Sequence, residues 1–233
     1  MKITLLCLLP AVLAAADHPP AQQAAGCLEL RGRSDPEALK ALSRALEDPS
    51  LRSCAAEDLR SAGAIEPLRL GLSSENFQVR ATAARELGSF QSQALLGPLS
   101  RAAQDENLLV ATNALNGLSQ YRGPAVIPYL RAIAQKGGMV GDMALDRLLQ
   151  LDKAEAVTVA RALLASKQVP DQLYAMRILG AAGDRSDLPQ LEKIAVAHEE
   201  TLSQRDRGFG FMPSVNLARA ASAAITAIES RAQ

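Results

Sequence analysis

Few residues in this chain have the chemistry of nucleophiles, general bases or metal ligands. There are two histidines and three cysteines in 233 residues. His18 precedes Pro19-Pro20, and His198 precedes Glu199-Glu200. No H-x-x-x-H or C-x-x-C spacing sets two ligands on one face, so no metal site and no cofactor are expected. His198 is expected to be a solvated residue near a helix end, where a cation suits the negative end of the dipole. No glycine-rich phosphate loop and no G-x-S-x-G elbow occurs. What remains is thiol chemistry and binding. Cys7 falls in an apolar leader, leaving Cys27 and Cys54. An even count in an oxidising compartment suggests a disulfide, with two unpaired thiols as the alternative. The bond would close a loop of about 28 residues, worth roughly 3–4 kcal/mol on the loop-entropy account.

The compartment follows from the first residues. Lys2 precedes an apolar run from Ile3 to about Ala15, Ala14-Ala15-Ala16 forms an A-x-A site, and Asp17-His18-Pro19-Pro20 follows. This pattern predicts a Sec-type signal peptide over residues 1–16, cleaved after Ala16, and a secreted or periplasmic protein. About 13 apolar residues are too few to span a bilayer, so no membrane insertion is expected after cleavage. Ala24-Ala25-Gly26-Cys27 loosely resembles a lipobox, but polar residues 17–23 separate it from the apolar run. Residues 17–34 read as a flexible lead-in carrying Cys27.

Composition bounds the rest. Hydrophobic residues make up 48% of the chain, aromatics only 3%, and Trp is absent. A core of Ala and Leu suits close helix packing better than a β-sandwich. Lys+Arg and Asp+Glu are both 25. That balance gives no electrostatic reason to expect nucleic acid or an anionic membrane surface.

The elements that must position any site repeat about every 30 residues. Val79, Ala83, Ala84 and Leu87 correspond to Leu51, Ala55, Ala56 and Leu59 upstream. Downstream they correspond to Val110, Ala114, Leu115 and Leu118, then to Val140, Ala144, Leu145 and Leu148. A fifth copy has Ala175, Met176 and Leu179-Gly180, with Asp171 where Val is expected, and a sixth covers residues 217–228 in an uncertain register. Offsets of 0, 4, 5 and 8 place these residues on one helix face. A second series precedes each copy: Ile65/Leu68, Leu96/Leu99, Ile127/Leu130, Val157/Ala160 and Leu188/Leu191. Pro36, Pro67, Pro98, Pro128 and Pro189 keep the same period, as residues tolerated in a first helical turn. Each unit is therefore helix A, a short turn and helix B. The expected units are 35–63, 64–91, 92–123, 124–152, 153–183 and 184–231. Gly63, Gly88 and Gly180 are expected at or just past helix ends, where a left-handed residue is wanted.

The unit resembles the HEAT repeat, including the HEAT-like units of bilin lyases and bacterial scaffolds. The residues that carry the resemblance are Asp48, Leu51-Arg52, Ala55-Ala56 and Leu59, and Asn76, Val79-Arg80, Ala83-Ala84 and Leu87-Gly88. It covers about residues 35–231 and implies an all-α, right-handed α-solenoid of about six helix pairs. In the family a turn Asp and a helix-B Arg form a ladder between units. Here Asp48, Arg52 and Arg80 fit it, whereas Asn76 and Asn107 replace Asp, and Ala111 and Gly141 replace Arg.

The resemblance also places helix B on the concave face. Offset 6 there reads Glu57, Arg85, Asn116, Asp146 and Arg177; offset 3 reads Cys54, Thr82, Asn113, Met143 and Tyr174. Glu57 would sit beside Arg85, and Asp146 beside Arg177. One stretch departs from the period: residues 199–213 (EETLSQRDRGFGFMP) carry Arg205, Arg207, Phe209 and Phe211 in an expected loop of about a dozen residues. Its Phe side chains would cap the array's end or dock a partner. The function this implies is non-catalytic binding of a protein or peptide, through the concave face or the 199–213 loop. A bilin-lyase-type enzyme is the alternative. A nucleic-acid-binding HEAT protein fits less well, lacking a basic groove and stacking aromatics.

Overall fold

The computed structural model describes residues 29–205 and 216–232, the side chains of 198–205 excepted. The leader, Cys27 and most of the lead-in lie outside them. The described residues form twelve α-helices in six consecutive pairs. The A helices are α1 (Pro36–Ala45), α3 (Ile65–Gly71), α5 (Leu96–Ala102), α7 (Ile127–Ala134), α9 (Lys153–Leu163) and α11 (Leu188–Arg205). The B helices are α2 (Arg52–Ser61), α4 (Phe77–Gly88), α6 (Leu108–Ser119), α8 (Gly138–Leu151), α10 (Val169–Ala182) and α12 (Leu217–Arg231). Among the described residues there is no strand. Each A helix packs on its own B helix, and each B helix on the next, so the extensive contacts run only between adjacent units. That is the one-dimensional architecture of an α-solenoid.

The two apolar series build one continuous core. Leu59, Leu87, Leu118, Leu148 and Leu179 from the B helices are fully buried, as are Leu68, Leu99, Leu130 and Leu191 from the A helices. Each such leucine contributes about 1.5–3 kcal/mol through burial. The sixth B helix resolves its register as Leu217, Ala221, Ala224 and Ile228.

Small residues set the spacing. A Cβ on Gly88 would lie 2.6 Å from the Cα of Gly117, and one on Gly117 would lie 2.8 Å from that of Gly88. The backbones of α4 and α6 touch there. Gly88 therefore ends a helix but serves helix contact, and its φ is not positive. Gly180 likewise lies inside α10, with Ala224 of α12 packed on it. Only Gly63 of the three has the left-handed backbone, at φ +69°.

Polar ties join the turns. Arg52 donates to the carbonyls of Leu46 and Glu47 in its own A–B turn (2.7 and 3.1 Å) and to Gln78 of the next unit (2.6 Å). Arg80 does the same with Ser74 and Glu75 (both 2.9 Å), then grips Asp105 through two bonds of 2.7 and 3.1 Å. The acid of this rung is Asp105, two residues before Asn107. Asn76 and Asn107 instead cap α4 and α6, accepting from the amides of Gln78 and Leu109.

Beyond unit three the ladder reverses. Asp171 of α10 is buried, and its carboxylate accepts from the amide of Gly138 at 2.9 Å and from Ser166 Oγ at 2.7 Å. It thus supplies, from the following unit, the cap that Gly137 cannot give α8. A Cβ on Gly137, whose φ is +68°, would lie 2.4 Å from that carboxylate. The aspartate that breaks the apolar pattern is explained by this cap. We expect Gly88→Ala to cost about 1–3 kcal/mol, because backbone cannot yield to the added methyl. That lowers Tm by about 3–10 °C for a chain of this size. Gly97→Ala is the control, since a Cβ there meets only the far end of Arg101 at 3.7 Å. Equal thermal shifts in the two variants would refute the backbone contact as a stability determinant.

Candidate functional site

The B helices present a polar face whose centre lies between α8 and α10. Asp142 and Asp146 are one turn apart on α8; Tyr174 and Arg177 are nearly one turn apart on α10. Asp146 accepts hydrogen bonds from the Tyr174 hydroxyl and from the Arg177 guanidinium. That guanidinium lies 4.2 Å from the Tyr174 ring centroid, a cation–π contact. The predicted neighbours Asp146 and Arg177 are thus brought together, and Tyr174 completes the group.

Asp142 is the uncompensated member. Its Oδ1 is buried and has no hydrogen-bond partner. Burial, and then the carboxylates of Asp171 and Asp146, push its pKa up to about 6, with Arg177 opposing. Burial and the bond to Asp146 push the Tyr174 phenol up to about 12, so it remains a neutral donor. The sequence singled out Asp146 but missed Asp142, which stands at offset 2 and looks there like any surface aspartate.

A second feature adjoins this group. A groove of about 370 Å³ runs between α10 and α12, lined by Leu173, Met176, Gly180, Ala223 and Ala227, with Arg177 on its margin. Small residues on both helices make it: Gly180 and the α12 alanines leave room that larger side chains would fill. An apolar groove with a charged, hydrogen-bonding margin suits a side chain of a bound segment.

The remaining predicted residues are less concentrated. Cys54 is half-buried, with Sγ 3.0 Å from the carbonyl oxygen of Leu51. Glu57 and Arg85 do not pair. Glu57 sits 3.9 Å from Arg60, and Arg60 and Arg85 both reach Glu86, at 3.0 and 2.8 Å. Glu86 thus takes the Arg85 that the column left to Glu57, and Arg60 with it. Thr82 is half-buried and Asn116 exposed. Asn113 donates its amide to the carbonyl of Ala81 at 3.0 Å, tying α6 to α4. Residues 199–205, expected in the loop, are helical and continue α11. Arg205 ends that helix. Its side chain, and Arg207, Phe209 and Phe211, lie outside the described residues.

This combination, stacked helix pairs with one polar face of B helices, defines an α-solenoid repeat scaffold. Residues 65–138 match the family model of HEAT repeats. No curated protein matches the chain. Among solved structures, a designed armadillo repeat protein, YIII(Dq)4CqI, is similar at 17% identity and a TM-score of 0.38, over 87% of this chain and 98% of that one. An engineered protein is similar at 18% identity and a TM-score of 0.38, over 88% and 95%. Repeat scaffolds of this kind generally serve protein interaction.

The charge cluster has a pH signature. A carboxylate whose folded pKa is raised penalises the fold once ionised: the contribution is most favourable below the unfolded value and is lost as pH rises through about 6. Asp142→Asn is expected to raise Tm at pH 7.5 by about 2–4 °C, for a solvent-screened penalty of ~1 kcal/mol. The gain should shrink toward pH 5. A gain that is the same at both pH values would show that Asp142 is not the titrating group.

Proposed function

We propose that this protein is an exported, non-catalytic HEAT-repeat adaptor that binds a protein or peptide partner on the face of its B helices. The observation that carries the reading is the juxtaposition of the α10–α12 groove with the Asp142, Asp146, Tyr174 and Arg177 group. The groove accepts an apolar side chain. The half-exposed Arg177 guanidinium on the groove's margin offers hydrogen-bond donors to the incoming segment. Export rests on the leader, and a Cys27–Cys54 disulfide would tie the N-terminal lead-in to α2. The same face supports the reading of Asn116 and Arg177 as contact residues, whereas Asn113 has a role within the array.

Two measurements test this. A photocrosslinker at Ala223 or Asn116 is expected to capture one and the same protein in the source cells, while Lys153 on an A helix captures none. Capture from Lys153 alone, or none from either B-helix position, would sink the assignment of the face. The processed chain should begin at Asp17 by mass spectrometry and show no free thiol when unfolded without reductant. Two thiols per chain would refute the disulfide. Turnover of a tetrapyrrole by the purified protein would overturn the non-catalytic reading.

A further inference from the structure

The array leaves a second surface unaccounted for, along the edge that carries the A–B turns. Seven large apolar side chains are exposed among the described residues, and five of them lie on this edge: Phe77, Leu108, Leu109, Met139 and Val169. Their exposures run from 39% to 61%. Each sits in the first turn of a B helix. Phe77, Leu108 and Met139 are 31 residues apart and Val169 follows 30 later, so the row has the period of the units themselves. None of the five contributes to the core cluster. An apolar row across four units, with an interaxial step of about 8–10 Å, is roughly 30 Å long. Rows of that extent mark contact surfaces more often than chance exposure.

The charges beside the row say what covers it. Exposed Glu75 and Glu106 precede Phe77 and Leu108 in units two and three; exposed Lys136 and Lys167 precede Met139 and Val169 in units four and five. Asp105 lies on the same edge but is held by Arg80 at 2.7 Å. The order is acid, acid, base, base. Such a pattern is complementary to itself when turned about a two-fold axis through its centre. We infer that this edge binds a second copy of the same chain in antiparallel register, with the axis between α6 and α8. Glu75 then meets the partner's Lys167, and Glu106 the partner's Lys136. Phe77 packs toward Val169 and Leu108 toward Met139 across the axis. A parallel register would set like charges opposite each other.

The centre of the row supports this. A cleft of about 210 Å³ opens between α6 and α8, lined by Leu108, Ile133, Val140 and Gly141, with Glu106 and Lys136 at its sides. It sits at the proposed axis, where each copy would receive an apolar side chain from the other. An isologous contact of this kind closes as a dimer and does not propagate. The row is short for an obligate interface, so the dimer is a weak, concentration-dependent one.

Sedimentation equilibrium of the purified chain, from about 1 to 200 µM, reads the inference directly. A monomer–dimer equilibrium is expected, weakened by salt as exposed charges are screened. Leu109→Glu should raise the dimer Kd at least about tenfold. The decisive comparison is a charge swap. The double variant Lys136→Glu with Lys167→Glu, and the double variant Glu75→Lys with Glu106→Lys, should each be monomeric alone and associate when mixed. Circular dichroism and Tm confirm that both remain folded. Monomers at every concentration, or a dimer indifferent to both swaps, would overturn the inference. So would a photocrosslinker at Leu109 that joins only to its own chain. The two tests read different residues, Leu109 and the turn charges here and Ala223 and Asn116 on the B-helix face, so failure of one is distinguishable from failure of the other.

Discussion

No helix pair in this chain can bury its own apolar stripe, and the structure follows from that constraint. The leucines at one offset per unit face the next unit as much as their own A helix, so each unit is stable only when stacked. Stacking at this spacing requires small residues where B helices cross. Gly88 and Gly117 meet backbone to backbone, and Gly180 meets Ala224. Alanine and glycine are weak contributors to burial by themselves. Their value lies in letting the leucines beside them reach across.

Packing of this kind is indifferent to rotation and register unless polar groups fix it. Here the turns do so, in two directions. Arg52 and Arg80 clamp their own turn carbonyls and then reach forward to Gln78 and Asp105. In the later units Asp171 reaches backward to the α8 amide. On the A helices Arg161 holds Asp187 at 2.6 Å and Asp184 at 3.3 Å. The ladder is not lost where Ala111 and Gly141 replace arginine. Its direction and donor change.

The repeats were legible in the sequence because apolar offsets recur for a reason common to every unit. The polar neighbours were less so. Glu57 and Arg85 share a column, yet Glu86 intervenes, since side-chain direction decides a pairing that spacing only permits. Asp105 was hidden by Asn107, which stands at the aligned position but caps its helix. Asp142 gave no signal at all, because its unusual state depends first on burial and then on Asp171, which arrives from another unit and carries its own separate task. The extension of α11 through residue 205 escaped for a simpler reason. Residues 199–205 overrun the A-helix length of the other units and so read as a loop, yet their composition, EETLSQR, suits continuation of the helix.

The two surfaces differ in what they leave unsatisfied. On the B-helix face most charges are already paired, Asp146 with Arg177 and Glu86 with Arg60 and Arg85. Binding there must exchange existing partners or use the groove between α10 and α12. This favours selectivity over strength, because a poor partner would break pairs without replacing them. On the turn edge the apolar side chains cost little to cover, and the charges beside them are exposed, with Lys136 held by the neutral Gln104. Association there needs only a surface of opposite order, which the chain itself supplies. The two surfaces meet on α8, where Met139 of the turn edge lies one turn before Asp142 of the polar group. Asp171, which caps that helix at Gly138 and raises the pKa of Asp142, couples the end of the helix to its flank.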